Sequence, residues 1–512
     1  MSIRFARGRH ERESSRRASG QAAVILLVIV VVLIGGGIAA WLWLRDSATT
    51  HQPRPRSVLL VVADTLRADH MGCYGFKLPT SPRLDELAGE GMLFSDFNTV
   101  IPATLPSFSS LLTSRQPKDH GAGRNGFPLD DGHARLSEAF RDAGFETAAF
   151  VASYCVSAEF GIAEGFEHFD EEFTIDTGLP HNKLIRKADK ISDAVIAWLR
   201  ERDADRPFFA MVHYFDPHWP YDQPEPFRTT FCPAAAGDRT LGSIQNVLDA
   251  RDYLTKGGAP DRRCHDLHGL YCGSIAFMDQ QIGRVLDAVE ELGVVEETLV
   301  VFTADHAETF WEHGDYFDHG LYVYDTNVRI PLIVRWPGGV AGDVTVETPL
   351  CTLDLAPTLL EMCGLEVPPV FEGLSFGDVL RGGGDVAALD RAVAAGGGEG
   401  EDHGRQRLLF AEACKPYDVE EGAPRLNFNK AKSVRKGQWK LVSVPFMQNR
   451  RELYDLNADP AETTNLIRNP AYRPVVTALS GELERWAATF SAGGPTGEMD
   501  EEARKKLEAL GY

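Results

Sequence analysis

Residues 298–308 read Thr298-Leu299-Val300-Val301-Phe302-Thr303-Ala304-Asp305-His306-Ala307-Glu308. Leu299 to Phe302 is a short apolar run between polar neighbours, the pattern of a strand buried on both faces. Asp305 and His306 follow it with one oxygen donor and one nitrogen donor, where the strand opens into a loop. Ligands of open α/β sheets bind outside the carboxyl ends of the strands. A hard or borderline cation is the natural occupant of such a pair. The same two residues would also serve an ordinary turn or helix cap, so their meaning depends on what the rest of the chain brings to them.

Other apolar runs repeat the pattern. Ser57 to Ala63 (SVLLVVA) is closed by Asp64, and Pro207 to Phe215 (PFFAMVHYF) delivers Asp216 and His218 to its end. Glu146 to Ser153 and Pro331 to Trp336 read as further strands. Helical periodicities lie between them at Thr80–Gly91, Lys187–Arg202 and Gly273–Leu292. Strands alternating with helices predict an α/β domain over 57–381, a mostly parallel sheet sandwiched by helices. Beyond it, 382–404 is rich in Gly, Ala and Asp without periodicity, which reads as a flexible surface loop. Residues 405–490 read as a smaller C-terminal α+β subdomain, with strands in Ser433–Val444 and Arg451–Leu456 and a closing helix over Pro474–Phe490. The charged tail 491–512 is expected to be loosely held.

At 512 residues the chain can bury a large core, and its formal charge of -22 argues against a nucleic-acid partner, which would call for a basic face. Charge is unevenly placed: residues 1–21 form a basic tail with six arginines against two glutamates. Ala22 to Leu44 follows without a single charge, long enough to span a bilayer as a helix. The basic flank predicts a single-pass anchor with a cytoplasmic amino terminus and everything after the linker 45–56 outside the cytoplasm, periplasmic or extracellular. The eight cysteines do not suggest a disulfide scaffold. Cys264 and Cys272, with Cys232 upstream, are the pair best placed to bridge.

Three strand ends thus offer Asp64, Asp216-x-His218 and Asp305-His306. A fourth segment, Pro102-Ala103-Thr104-Leu105-Pro106-Ser107-Phe108, begins as a loop and is expected to open a helix. A hydroxyl at a helix start lies beside backbone N–H groups and the positive dipole end, a setting that binds phosphate or sulfate. Thr104 is either an N-cap or a nucleophile activated by a metal ion.

The order and wording of these segments resemble the sulfatase family of the alkaline phosphatase superfamily. The matching stretches are VADTLRADHMGCYG (62–75), TSPRLDELAGEGMLFSDF (80–97), PATLPSFSSLLTSRQPKDHG (102–121), DPHWPY (216–221), TADHAETFWEHGDYFDHG (303–320), IPLIVRWPG (330–338) and VRKGQWKLV…ELYDLNADPAETTNL (434–466). The resemblance implies an alkaline phosphatase-like fold and a divalent metal (Ca, Mn, Mg or Zn) on Asp64, Thr104, Asp305 and His306. It places His218 and His319 at the transferred anion or the leaving group, and Arg115 and His120 among the basic residues after the nucleophile. His313 reads as a loop histidine.

Two departures stand out. Sulfatases carry Cys or Ser followed by x-Pro-x-Arg and oxidise the nucleophile to formylglycine; here the cassette runs Thr104-Leu105-Pro106-Ser107-Phe108. Thr65 stands where the family has a second early acid. The expected function is a membrane-anchored metallohydrolase that cleaves sulfate or phosphate esters of a glycan, lipid or small molecule through Thr104. The alternatives are a phosphoglycerol- or phosphoethanolamine-type transferase and a non-catalytic binding module of the same fold.

Overall fold

The computed structural model describes residues 53–173, 184–387, 407–419, 427–490 and 499–510. The main sheet contains β1 (Ser57–Ala63), β2 (Met92–Asn98), β3 (Glu146–Phe150), β4 (His168–Asp170), β5 (Phe208–Tyr214), β6 (Thr298–Ala304), β7 (Arg329–Arg335), β8 (Val344–Val346) and β9 (Leu350–Cys351). The spatial order is β4-β3-β5-β1-β6-β7-β2-β8, with β9 also on β2. Among these strands β7 alone runs against the others: it is antiparallel to β6 and to β2. Every residue of β1, β5 and β6 is buried. Such strands read as unbroken apolar runs because helices cover both faces of the sheet.

The helices that matter for the site are α1 (Pro82–Glu90), α2 (Thr104–Thr113), α3 (Ala188–Glu201), α4 (Ile244–Thr255), α5 (Arg262–Glu291) and α6 (Leu355–Cys363). The 30-residue α5 begins well before the expected start near Gly273. Its first turns bury Cys264, Leu267, Leu270 and Tyr271, a stripe obscured in sequence by the polar residues between. Cys264 and Cys272 therefore lie on one helix, about 12 Å apart along its axis, too far to bridge; both are free thiols.

The second sheet is antiparallel, in the order β10 (Leu408–Glu412), β11 (Lys432–Lys436), β12 (Trp439–Val444) and β13 (Arg450–Asp455). The strand segment 433–444 is a hairpin of β11 and β12 that turns at Gly437, where φ is +56°. Helix α7 (Arg473–Ala487) lays Leu479 and Leu483 on Val434, Leu441 and Leu453. The charged tail is also not loose throughout. Glu501–Leu510 forms α8, and Ala503, Leu507 and Leu510 enter the main core.

From Arg54 onward the described residues form one compact unit. The expected anchor at 22–44 lies outside the described residues, as does nearly all of the expected loop at 382–404. Among the described residues no helix is long and apolar enough to cross a membrane.

Candidate active site

Because β1, β5 and β6 are parallel neighbours, the residues that follow them emerge on one edge of the sheet. The ladder continues one step past the strands: Asp64 N–H donates to Tyr214 O at 2.9 Å and Asp305 N–H to Ala63 O at 3.1 Å. That pins Asp64 and Asp305 side by side. Asp64, Asp305 and His306 present ligand atoms within 4.8 Å of one another, and all three are buried.

Each donor is oriented. Asp305 Oδ1 accepts the N–H groups of Thr65 at 3.2 Å and His306 at 2.6 Å, which leaves Oδ2 to face His306 Nε2 at 3.4 Å. His306 Nδ1 donates to Ala307 O at 3.1 Å, so its Nε2 carries the lone pair. That Nε2 lies 3.8 Å from Asp64 Oδ1 and 3.4 Å from Thr104 Oγ1. Both oxygens of Asp64 and Oδ2 of Asp305 have no hydrogen-bond partner among the described residues. Burial, then repulsion from Glu308 at Asp64 and from Asp64 at Asp305, raises both carboxyls well above the usual range. Burial, then neighbouring His319, pushes His306 well below the usual histidine range, so the ring is neutral. Two dry carboxylates and an imidazole lone pair turned on one point repel one another unless a cation sits between them. The donor set therefore fits a divalent ion, and its mixed oxygen and nitrogen chemistry leaves the metal's identity open.

Thr104 is the first residue of α2, while the capping position belongs to Ala103, whose side chain makes no cap bond. The cap reading of Thr104 thus gives way. Leu105 N–H is taken instead by Asn125 Oδ1 at 2.9 Å. Ser107 Oγ donates to Asp305 O at 2.6 Å and ties the helix start to the end of β6. Phe108, where the family has arginine, is fully buried with its ring 5.0 Å from that of His213. His213 accepts Ala152 N–H on Nδ1 at 3.3 Å, so Nε2 holds the proton and lies 3.5 Å from Asp64 Oδ2. The apolar contact thus braces a histidine that lies against Asp64.

His319 stacks on the cluster, its ring 4.3 Å from that of His306 and 5.5 Å from that of His218. Burial, then Lys415, drives His319 down to about 3 against the pull of Asp318, and burial, then His319, drives His218 well down. His218 Nδ1 donates to Trp219 O. The other expected residues fall elsewhere. Asp216 Oδ2 takes Ala188 N–H at 3.1 Å at the start of α3. His120 donates to Ser110 Oγ at 2.9 Å through Nε2 and accepts Ala122 N–H on Nδ1. Arg115 lies beyond the far end of α2, about 15 Å along the axis from Thr104, against Glu372 at 3.4 Å. His313 stacks on Tyr324 at 3.9 Å, in keeping with a loop histidine.

Sequence reasoning missed Glu308 and the Asp318–Lys415–Arg251 group. Glu308 is wholly buried, neither of its oxygens has a hydrogen-bond partner among the described residues, and Oε1 lies 3.5 Å from His319 Nδ1. Burial, then Asp318, lifts its carboxyl well above the usual range. Asp318 pairs with Arg251 from α4 and with Lys415, 2.8 Å away, from the C-terminal subdomain. A signal for Glu308 existed in its position two residues past His306. None existed for Arg251 or Lys415, which only the fold brings in.

A mostly parallel sheet, a hydroxyl at a helix start and a dry carboxylate–histidine cluster fit an enzyme of ester bonds with a site for a divalent ion. The sulfatase family model matches residues 56–365, and the model of the N-sulphoglucosamine sulphohydrolase C-terminal region matches residues 420–489. The chain belongs to the sulfatase family, and it is a hydrolase of sulfate or phosphate esters. Among curated relatives, an arylsulfatase of Clostridium perfringens is 24% identical over 481 residues, 83% of this chain and 92% of its own length. A protein solved with its substrate D-glucosamine-2-N,6-O-disulfate superposes with a TM-score of 0.65 at 22% identity, covering 86% of this chain and 99% of its own. The phosphonate monoester hydrolase of Agrobacterium radiobacter gives 0.63 at 24% identity, covering 86% and 96%.

Proposed function

We propose that the chain hydrolyses sulfate esters on a saccharide, with Thr104 as nucleophile, from the outer side of a membrane to which residues 22–44 anchor it. The observation that carries this reading is Thr104 Oγ1 lying 3.4 Å from His306 Nε2, at the start of a helix that faces the Asp64–Asp305 pair. A divalent cation held by Asp64, Asp305, His306 and Thr104 would supply the charge that lowers the cost of ionising a hydroxyl and of loading a transferred group with negative charge. Thr104 Oγ attacks the sulfur, and the ester oxygen of the saccharide departs. His319 and His218, neutral in their dry setting, take the proton lost by Thr104 and return it to the leaving oxygen. Water then opens the threonine ester and completes the hydrolysis. Support for a saccharide comes from the match to the N-sulphoglucosamine sulphohydrolase C-terminal region and the fold shared with the glucosamine disulfate complex.

A second reading, a phosphoester or phosphonate ester as substrate, draws on Thr104 itself. A threonine cannot become the aldehyde hydrate that sulfatases use, and a covalent threonine ester suits phosphoryl transfer. One experiment separates the two. The full chain, supplied with Mn²⁺, Zn²⁺, Mg²⁺ or Ca²⁺ in turn, is given an aryl sulfate, an aryl phosphate and a bis-aryl phosphodiester, with Thr104→Ala as control. Sulfate turnover that drops at least ~10³-fold in the variant is the expected result, the scale of losing a covalent nucleophile. Phosphodiester turnover lost in the same way selects the second reading. Equal turnover by both proteins removes Thr104 from the reaction.

A further inference from the structure

Away from the candidate active site, three histidines from two remote segments meet beside the turn that follows β1. His70 is buried in the single turn Ala68–His70, and His265 and His268 lie one turn apart on α5, His268 half-buried and His265 exposed. Each ring nitrogen of His70 has a partner. Nδ1 donates to Asp69 Oδ1 at 2.8 Å, and Nε2 faces His268 Nε2 at 2.8 Å. With its proton on Nδ1, His70 turns an Nε2 lone pair on His268. Asp69 is held as a support and not as a ligand: its oxygens also take Arg67 Nε at 2.9 Å and Nη2 at 2.8 Å. A carboxylate that holds the far nitrogen of an imidazole fixes the tautomer and the ring orientation, the arrangement found behind metal-binding histidines. Nothing in the reaction as derived above uses any of these groups.

The surroundings suit a metal ion. Phe76 stands 4.7 Å from the His70 ring and Phe310 4.8 Å from that of His268, while Trp311 flanks His268 at 5.5 Å and His265 at 5.3 Å. His265 and His268 therefore share one face of α5, as their three-residue spacing requires. Burial, then His70, takes His268 down to about 4, and burial lowers His70 as well. Both rings are neutral, the form of imidazole that binds metals. The spacing is close to what an ion needs. Two imidazole nitrogens on one tetrahedral zinc stand ~3.3 Å apart, so a shift of about 0.5 Å between the two rings admits it. His268 then carries its proton on Nδ1 instead of Nε2, and the ring stays neutral.

We propose that His70 Nε2, His268 Nε2 and His265 hold a transition-metal ion of the zinc class, separate from the active-site ion, and that it clamps the turn after β1 to α5. Three imidazoles suit Zn²⁺, Ni²⁺ or Cu²⁺ and not Mg²⁺ or Ca²⁺. The clamped turn matters to the site. Arg67 N–H donates to Tyr271 Oη, which donates to Thr65 O, so an ion on His70 and α5 braces the backbone beside Asp64. The assignment does not depend on which ester is cleaved, and its test reads metal instead of turnover. The full chain is stripped with a chelator and dialysed against Zn²⁺. Bound zinc and its affinity are measured for the parent, Asp64→Ala, His268→Ala, His70→Phe and His265→Ala. His268→Ala and His70→Phe are each expected to hold one zinc fewer than the parent, and the double variant Asp64→Ala/His268→Ala two fewer. His265→Ala lowers the affinity for that ion at least tenfold. His70→Phe keeps a ring among Phe76, Tyr271 and Phe310, and metal-free thermal melts verify that each variant folds. Parent-like zinc content and affinity in His268→Ala or His70→Phe overturns the site, and parent-like affinity in His265→Ala overturns the three-histidine shell. Zinc lost in the histidine variants but not in Asp64→Ala would leave this site standing and remove zinc from the active site.

Discussion

Thr65 shows how far single residues are constrained around the site. It is β-branched, fully buried and held at φ +54°, a left-handed conformation such residues avoid. Asp305 Oδ1 accepts its N–H at 3.2 Å and Tyr271 Oη donates to its carbonyl at 3.0 Å. The turn after β1 is thus bent to carry Asp64 toward Asp305. Thr65→Gly relieves about 1–2 kcal/mol of backbone strain and returns roughly 0.5–1 kcal/mol through the greater freedom of the unfolded chain. Stability measured in urea is expected to stay within about 1 kcal/mol of the parent; a loss several times larger would mean that the side chain, and not the turn, matters. Metal binding is a second test at this scale. Saturating Mn²⁺ at about 100 times its dissociation constant should stabilise the parent by ~2.7 kcal/mol. It should stabilise Asp64→Ala far less, and equal shifts in thermal melts would place the ion elsewhere.

Among the elements, the strands legible in sequence were those buried on both faces, because only they read as unbroken apolar runs. β1 occupies the expected residues 57–63, and β5 and β6 match their runs to within a residue or two. β2 was not legible: Met92–Asn98 alternates buried and half-buried positions and carries Ser95 and Asp96. Direction was not legible either, since nothing in Arg329–Arg335 says that β7 runs backwards. The polar residues that end strands were legible, and the structure brings Asp64, Asp305 and His306 together, with His319 packed on His306 and His218 on His319. The polar groups recruited from remote segments were not. Asp279 is one of these on the structural side. It lies mid-helix in α5 and accepts the N–H groups of Arg83 at 3.0 Å and Leu84 at 2.9 Å, capping α1 from outside. Burial lifts its carboxyl to about 7 from the ordinary 3.8, against the downward pull of those two bonds. An acid whose folded pKa is raised gives its full contribution below the unfolded value and loses it as pH climbs to the folded one. Asp279→Ala should cost about 1 kcal/mol for the lost cap. The parent's margin over the variant should shrink between pH 4 and 7; a margin that widens with pH would show the carboxylate to be the favoured form.

At the scale of the whole molecule, the question is what holds the C-terminal subdomain against the main sheet while Lys415 reaches Asp318 beside the site from it. The joint is built of charges removed from water. Lys440 of β12 is almost wholly buried between Asp325, 2.6 Å away on the main-domain side, and Glu462 at 2.9 Å. Arg407 pairs with Asp354 at 2.5 Å, and Arg435 pairs with Asp96. Glu412 N–H donates to Val100 O at 2.9 Å across the same boundary. A buried ion pair contributes little net stability, yet removing one partner leaves the other as an uncompensated buried charge and costs about 3–5 kcal/mol. Lys440→Met should therefore lower urea stability by that amount. Since the same boundary positions Lys415 beside Asp318, ester turnover should fall in the variant at denaturant concentrations that leave the parent unaffected. Neutralising the stranded acids tests the cause: Asp325→Asn with Glu462→Gln in the Lys440→Met background should recover most of the loss. If the triple variant stays as unstable as the single one, packing of the lysine stem, and not its charge, is what joins the two parts.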